Sequence, residues 1–136
     1  MAVESLTSSV VVAAEPEEVW EHFTRADAMV TWMGHHALLD ARPGGEFAID
    51  INESQIRGRY QGLDPPRRLV VSWGFAGSAE LPPGASTVEV LLTKIDEGTR
   101  VDVTHSGLPE VERDKHNHGW RHFLDQLAEI RFTRNG

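Results

Sequence analysis

TVEVLLTKIDEGTRVDVTH, residues 87–105, decides the fold. Val88, Val90 and Leu92 alternate with Thr87 and Glu89, and Val101, Val103 and His105 alternate with Arg100, Asp102 and Thr104. That period of two belongs to strands with one covered face and one wet face. Glu97-Gly98 punctuates the stretch as a turn. A connection this short favours antiparallel neighbours. The inner face of the hairpin then needs something to cover it.

The same alternation runs upstream. Residues 68–75 group Leu69, Val71, Trp73 and Phe75. Residues 56–63 place Gly58, Tyr60 and Gly62 opposite Arg57, Arg59 and Gln61. Residues 46–51 align Phe47, Ile49 and Ile51, and the β-branched run at 7–13 reads as a first strand. Between that strand and the sheet, Pro16 opens a helix, where its missing N–H costs nothing. Glu17 and Glu18 suit the positive end of that helix, and Val19, Trp20 and Phe23 share one face. A second helical turn is expected over 27–33, and Pro43-Gly44-Gly45, Pro65-Pro66 and Pro82-Pro83-Gly84 read as loops.

Downstream, residues 110–132 read as the longest amphipathic helix, with Trp120, Phe123, Leu124, Leu127 and Ile130 on one stripe. The covered sheet face is the only large partner for that stripe. The expected class is α+β: about six to seven antiparallel strands curved around a C-terminal helix. A length of 136 residues fits one domain, residues 1–136.

Thirteen Lys and Arg against 21 Asp and Glu give a formal charge of −8. That balance opposes both a nonspecific nucleic-acid grip and an anionic membrane surface. The absence of cysteine excludes disulfides, thiolate nucleophiles and Cys-ligated zinc. Residues 1–9 carry no secretory pattern and no apolar run is long enough to span a bilayer, so a cytoplasmic protein is expected.

Several phrases, in order, resemble a known family: Pro16-Glu17-Glu18-Val19-Trp20 with Phe23-Thr24, Trp32-Met33, Arg42-Pro43-Gly44-Gly45-Glu46-Phe47, Gly58-Arg59-Tyr60, Ser72-Trp73, Gly98-Thr99-Arg100, Thr104-His105-Ser106-Gly107-Leu108 and Gly119-Trp120. The ordered set resembles the SRPBCC superfamily of START-like helix-grip domains, and within it the group of homologues of the activator of the heat-shock-protein ATPase. The resemblance implies a cavity between the last helix and the concave sheet, used for lipids, polyketides or aromatics. The co-chaperones that name the group carry a further domain before this one, whereas this chain begins at its first strand, so a co-chaperone role ranks last among the expectations.

The expected lining is Trp32, Phe47, Ile49, Tyr60, Val71, Trp73, Val103, His105, Trp120 and Phe123. By residue type alone these aromatics read as plain core; the resemblance points Phe47, Tyr60 and Trp73 toward a pocket wall. Tyr60 and His105 are the candidates to orient a ligand or move a proton, in which case the domain would be a cyclase- or dehydratase-type enzyme. The bland reading of His105 is a core histidine bonded to backbone or water. His118 and His122 share the four-residue spacing of a metal pair, but the catalytic glutamate of zinc proteases is missing. His116, His118 and His122 read as surface histidines, and His35-His36 as a loop pair. No metal or cofactor is expected. The expected partner is a small apolar molecule, with a protein partner or a homodimer also open.

Overall fold

The 87–105 hairpin forms as β6 (Ser86–Ile95) and β7 (Gly98–Ser106), with Val88 opposite His105, Val90 opposite Val103 and Leu92 opposite Val101. All six of these side chains are buried. The structure is a computed structural model and describes residues 5–130. Around the hairpin lie β1 (Ser5–Val12), α1 (Pro16–Thr24), α2 (Ala26–Met29), β2 (His36–Leu39), β3 (Glu46–Ile51), β4 (Ser54–Asp64), β5 (Arg68–Trp73) and α3 (Glu110–Glu129). The seven strands make one antiparallel sheet ordered β1-β7-β6-β5-β4-β3-β2. Trp120, Leu124 and Leu127 of α3 enter the core of its covered face. This is the helix-grip arrangement.

Local chemistry explains the early helices. Pro16 takes the first position of α1, and the Glu18 carboxylate accepts a hydrogen bond from the Glu15 N–H at 3.4 Å. Val19 and Phe23 bury against the sheet side. Burying each such side chain contributes roughly 1.5–3 kcal/mol.

The sheet bends at β4. A register shift falls between Tyr60 and Gly62. At Gly58 a Cβ would lie 1.8 Å from the Ser72 carbonyl oxygen. The Arg59 N–H therefore bonds the Ser72 hydroxyl at 2.9 Å, and the Arg57 N–H bonds the Gly74 carbonyl at 2.8 Å. Only glycine permits this approach, so Gly58→Ala is expected to cost at least about 3 kcal/mol in urea denaturation. An unchanged midpoint would show that the crossing relaxes freely.

Some expectations need correction. His36 is not in a loop: it opens β2, paired with Asp50, and its Nδ1 lies 3.5 Å from the Asp50 carboxylate. The segment is too short and too mixed to show a period; it is a strand because β3 offers it an edge. The last helix stops at Glu129, since Ile130 has an extended backbone, and residues 131–132 of the expected helix lie outside the described residues. The fifth strand stops at Trp73, with Phe75 joined to Ile56 by an isolated bridge.

Candidate functional site

The space between α3 and the sheet is mostly filled. A void at its centre, among Trp32, Phe47, Val71, Trp73 and Trp120, is about 10 Å³, no more than a single water would need. Its walls are apolar, so it has no polar partner to hold that water.

A cleft of about 460 Å³ opens at one end of this core. That volume falls within the usual range for small-molecule sites. Three elements build it. One wall is the β3–β4 tip, from Ile51 to Ile56; the second is the segment after β5, from Phe75 to Ser78; the third is α3 from Glu112 to Phe123. The two sheet-side walls are tied together, since the Ala76 N–H bonds the Gln55 carbonyl at 2.9 Å. Trp73 and Trp120 form the floor, with ring centres 5.3 Å apart.

Behind the floor is a closed polar chain. The Trp120 indole N–H donates to His105 Nδ1 at 3.0 Å. An indole can only donate, so that nitrogen is an acceptor, and the His105 proton sits on Nε2 and donates to the Ser86 hydroxyl at 2.8 Å. Ser86 in turn donates to the Trp73 carbonyl at 2.8 Å. His116 repeats the logic. The Trp73 indole N–H donates to its Nε2 at 3.2 Å, and its Nδ1 proton goes to the Glu112 carbonyl at 2.9 Å. Both histidines are therefore neutral. Burial, reinforced by the neighbouring His116, pulls the pKa of His105 down to about 3. Burial also lowers that of His116, against the opposing pull of Glu112. The two rings meet edge to face at 5.1 Å.

The expected lining residues separate into three groups. Trp73, Trp120 and Phe123 border the open cleft. Trp32, Phe47 and Val71 surround the small void. Ile49, Tyr60, Val103 and His105 border neither and pack behind. The Tyr60 hydroxyl donates to the Phe23 carbonyl at 2.8 Å, and burial, with Asp40 nearby, raises its pKa above the ordinary value. His105 is a core histidine bonded to two side chains, and is fully buried.

His116 is a correction: it is no surface residue but buried at 8% exposure, beside the floor of the cleft. The signal was present, because 116, 120 and 124 form one row at four-residue spacing. Ile51 and Phe75, which the alternation grouped on covered faces without placing them in the expected lining, also border the cleft, as do Met33 and Glu112, which that pattern did not single out. His118 and His122 are exposed. Among the described residues no group of three or more His, Asp or Glu is placed to hold a metal ion, and no helix is long and apolar enough to cross a membrane.

Comparison with known proteins follows the same architecture. The human activator of 90 kDa heat shock protein ATPase homolog 1 is 24% identical over 120 residues, covering 87% of this chain. The chain spans only about a third (34%) of the length of that relative. An AHSA1-like protein from Rhizobium etli is 33% identical, with a TM-score of 0.75 over 95% of this chain and 82% of its own. DynU16, a protein of the dynemicin biosynthetic locus, is 27% identical, with a TM-score of 0.78 over 91% of this chain and 45% of its own. The family model described as Activator of Hsp90 ATPase homolog 1-like protein matches residues 13–131, and the chain belongs to that family.

Proposed function

We propose that the chain binds a small, ring-bearing apolar molecule in the cleft between α3 and the β3–β4 tip. The observation that carries this is the floor of two indoles, Trp73 and Trp120, at the base of a cleft of about 460 Å³. The two indole planes are inclined by 39°, so a flat ring can stack on one of them and touch the other, and a stacked pair contributes about 0.5–1.5 kcal/mol beyond its buried area. On this reading the ligand lies in an open groove at one end of the core, and the interior behind it is mostly filled. DynU16, from a natural-product locus, is a relative in keeping with such a ligand.

Gly119 supplies the test. It borders the cleft, and a Cβ there would meet nothing within 4 Å. The glycine leaves space rather than drawing the helix inward. Gly119→Ala is expected to raise stability by about 0.5–1 kcal/mol, from helix propensity alone. Gly119→Leu is expected to fill the groove without unfolding the chain. The measurement is quenching of tryptophan fluorescence by a panel of fused-ring compounds, with circular dichroism as the folding control. Quenching lost in Gly119→Leu supports the site. A panel that never quenches, or quenches both proteins equally, sinks it.

A second reading is a protein partner, favoured by the relative named for activating the 90 kDa heat shock protein ATPase. It predicts stimulated ATP hydrolysis by that chaperone, and that stimulation would survive Gly119→Leu.

A further inference from the structure

Charge is unevenly placed around the cleft. The Glu112 side chain is only 15% exposed, although it stands in the first turn of α3. The helix N-terminus stabilises an anion there. Its ion-pair contact among the described residues is His116 Nδ1 at 3.5 Å. That ring is neutral, because the Trp73 indole occupies its other nitrogen, so among the described residues the carboxylate has no full countercharge. Glu53 adds a second acid on the opposite lip. Lys115 is the single basic residue of the lining, and it is exposed on the outer edge.

Trp73, Phe75, Trp120 and Phe123 line the same cleft as this carboxylate. Aromatic faces carry the negative lobe of a quadrupole and attract cations, most strongly where water is excluded. The net charge of −8 raises the local concentration of cations further. A largely buried carboxylate and several aromatic rings therefore act in the same direction, and one exposed rim lysine opposes them.

We infer that the ligand of this cleft is a cationic aromatic: a protonated amine on a ring-bearing body, its ring on the Trp73–Trp120 floor and its ammonium toward Glu112. This rests on the reading of the cleft as the ligand site. No covalent step is involved.

Three probes with one ring and three charges test it: naphthylmethylamine, naphthylmethanol and naphthoate, titrated near neutral pH by tryptophan fluorescence. The amine is expected to bind roughly tenfold more tightly than the alcohol, and naphthoate more weakly than both. Glu112→Gln is expected to remove the amine's advantage over the alcohol. Alcohol or naphthoate binding as tightly as the amine would overturn the charge assignment and leave the cleft standing as an apolar site. An amine preference that persists in Glu112→Gln would overturn the role of that carboxylate. If none of the three probes perturbs the fluorescence, both this inference and the proposed site fail together.

Discussion

Between pH 7 and pH 4.5 the protein is expected to lose about 3 kcal/mol of stability through His105 alone. In the unfolded chain His105 titrates near its ordinary value of 6.5, whereas in the folded protein burial pulls it down to about 3. Above pH 6.5 both states hold the ring neutral, and the full stability is present. Below it the unfolded chain takes up a proton that the native state refuses. Stability then falls by about 1.4 kcal/mol per pH unit until the folded value is reached. His116 is shifted in the same direction and adds to the loss. The structural reason is that each imidazole has one nitrogen accepting an indole N–H, which a protonated ring cannot do. Urea denaturation at pH 7, 5.5 and 4.5 measures the effect, and this range lies largely above the ordinary carboxylate titrations. His105→Gln is expected to be less stable at pH 7, because Trp120 and Ser86 lose an aligned partner, but to show a flatter pH dependence. A wild-type stability that stays constant down to pH 4.5 would mean that the rings find water or a rearranged partner on protonation.

Much of the sheet could be read from side-chain period alone. Thr87, Glu89, Arg100 and Asp102 remain at the wet face, while Val88, Val90, Val101 and Val103 are buried. The stripe of α3 was equally legible at Trp120, Leu124 and Leu127. Such patterns report which way a side chain points. They do not report how closely a helix approaches, so they could not separate a hollow interior from a filled one. Phe47 and Trp32 illustrate this: both face inward as expected, yet they border a void of only about 10 Å³. The cleft lies where strands end and the alternation stops, at Ile51–Ile56 and Phe75–Ser78. Its walls depend on tertiary contacts such as Ala76 to Gln55, which no local pattern encodes. His116 was missed for a different reason. A histidine reads as polar in a hydrophobic pattern, although a neutral imidazole whose two nitrogens are both bonded behaves as core.

Trp73→Ala is expected to cost about 3–5 kcal/mol, the usual range for deleting a large aromatic from a packed core. Trp73 is 4% exposed and its ring lies 5.3 Å from Trp120, 5.3 Å from His105 and 6.0 Å from Phe47. Its removal empties the floor of the cleft and the side of the central void at once. It also leaves His116 Nε2 without its indole donor. Trp73→Phe separates these effects. The phenyl ring retains most of the apolar volume but supplies no N–H, so its cost is expected to be nearer 1–2 kcal/mol. With the lone pair of His116 released, a proton can take the place of the indole hydrogen. The Phe variant is therefore expected to be easier to protonate at His116, and some of the acid sensitivity contributed by that residue should disappear. In binding, Trp73→Phe is expected to keep a ring-stacking floor and Trp73→Ala to lose it. Urea midpoints of both variants at pH 7 and 5.5, with ligand titration read from the fluorescence of the three remaining tryptophans, check the three expectations together. An alanine variant costing less than about 1 kcal/mol would show that the indole is loosely held. A floor that loose could not be the rigid stacking surface on which the ligand site depends.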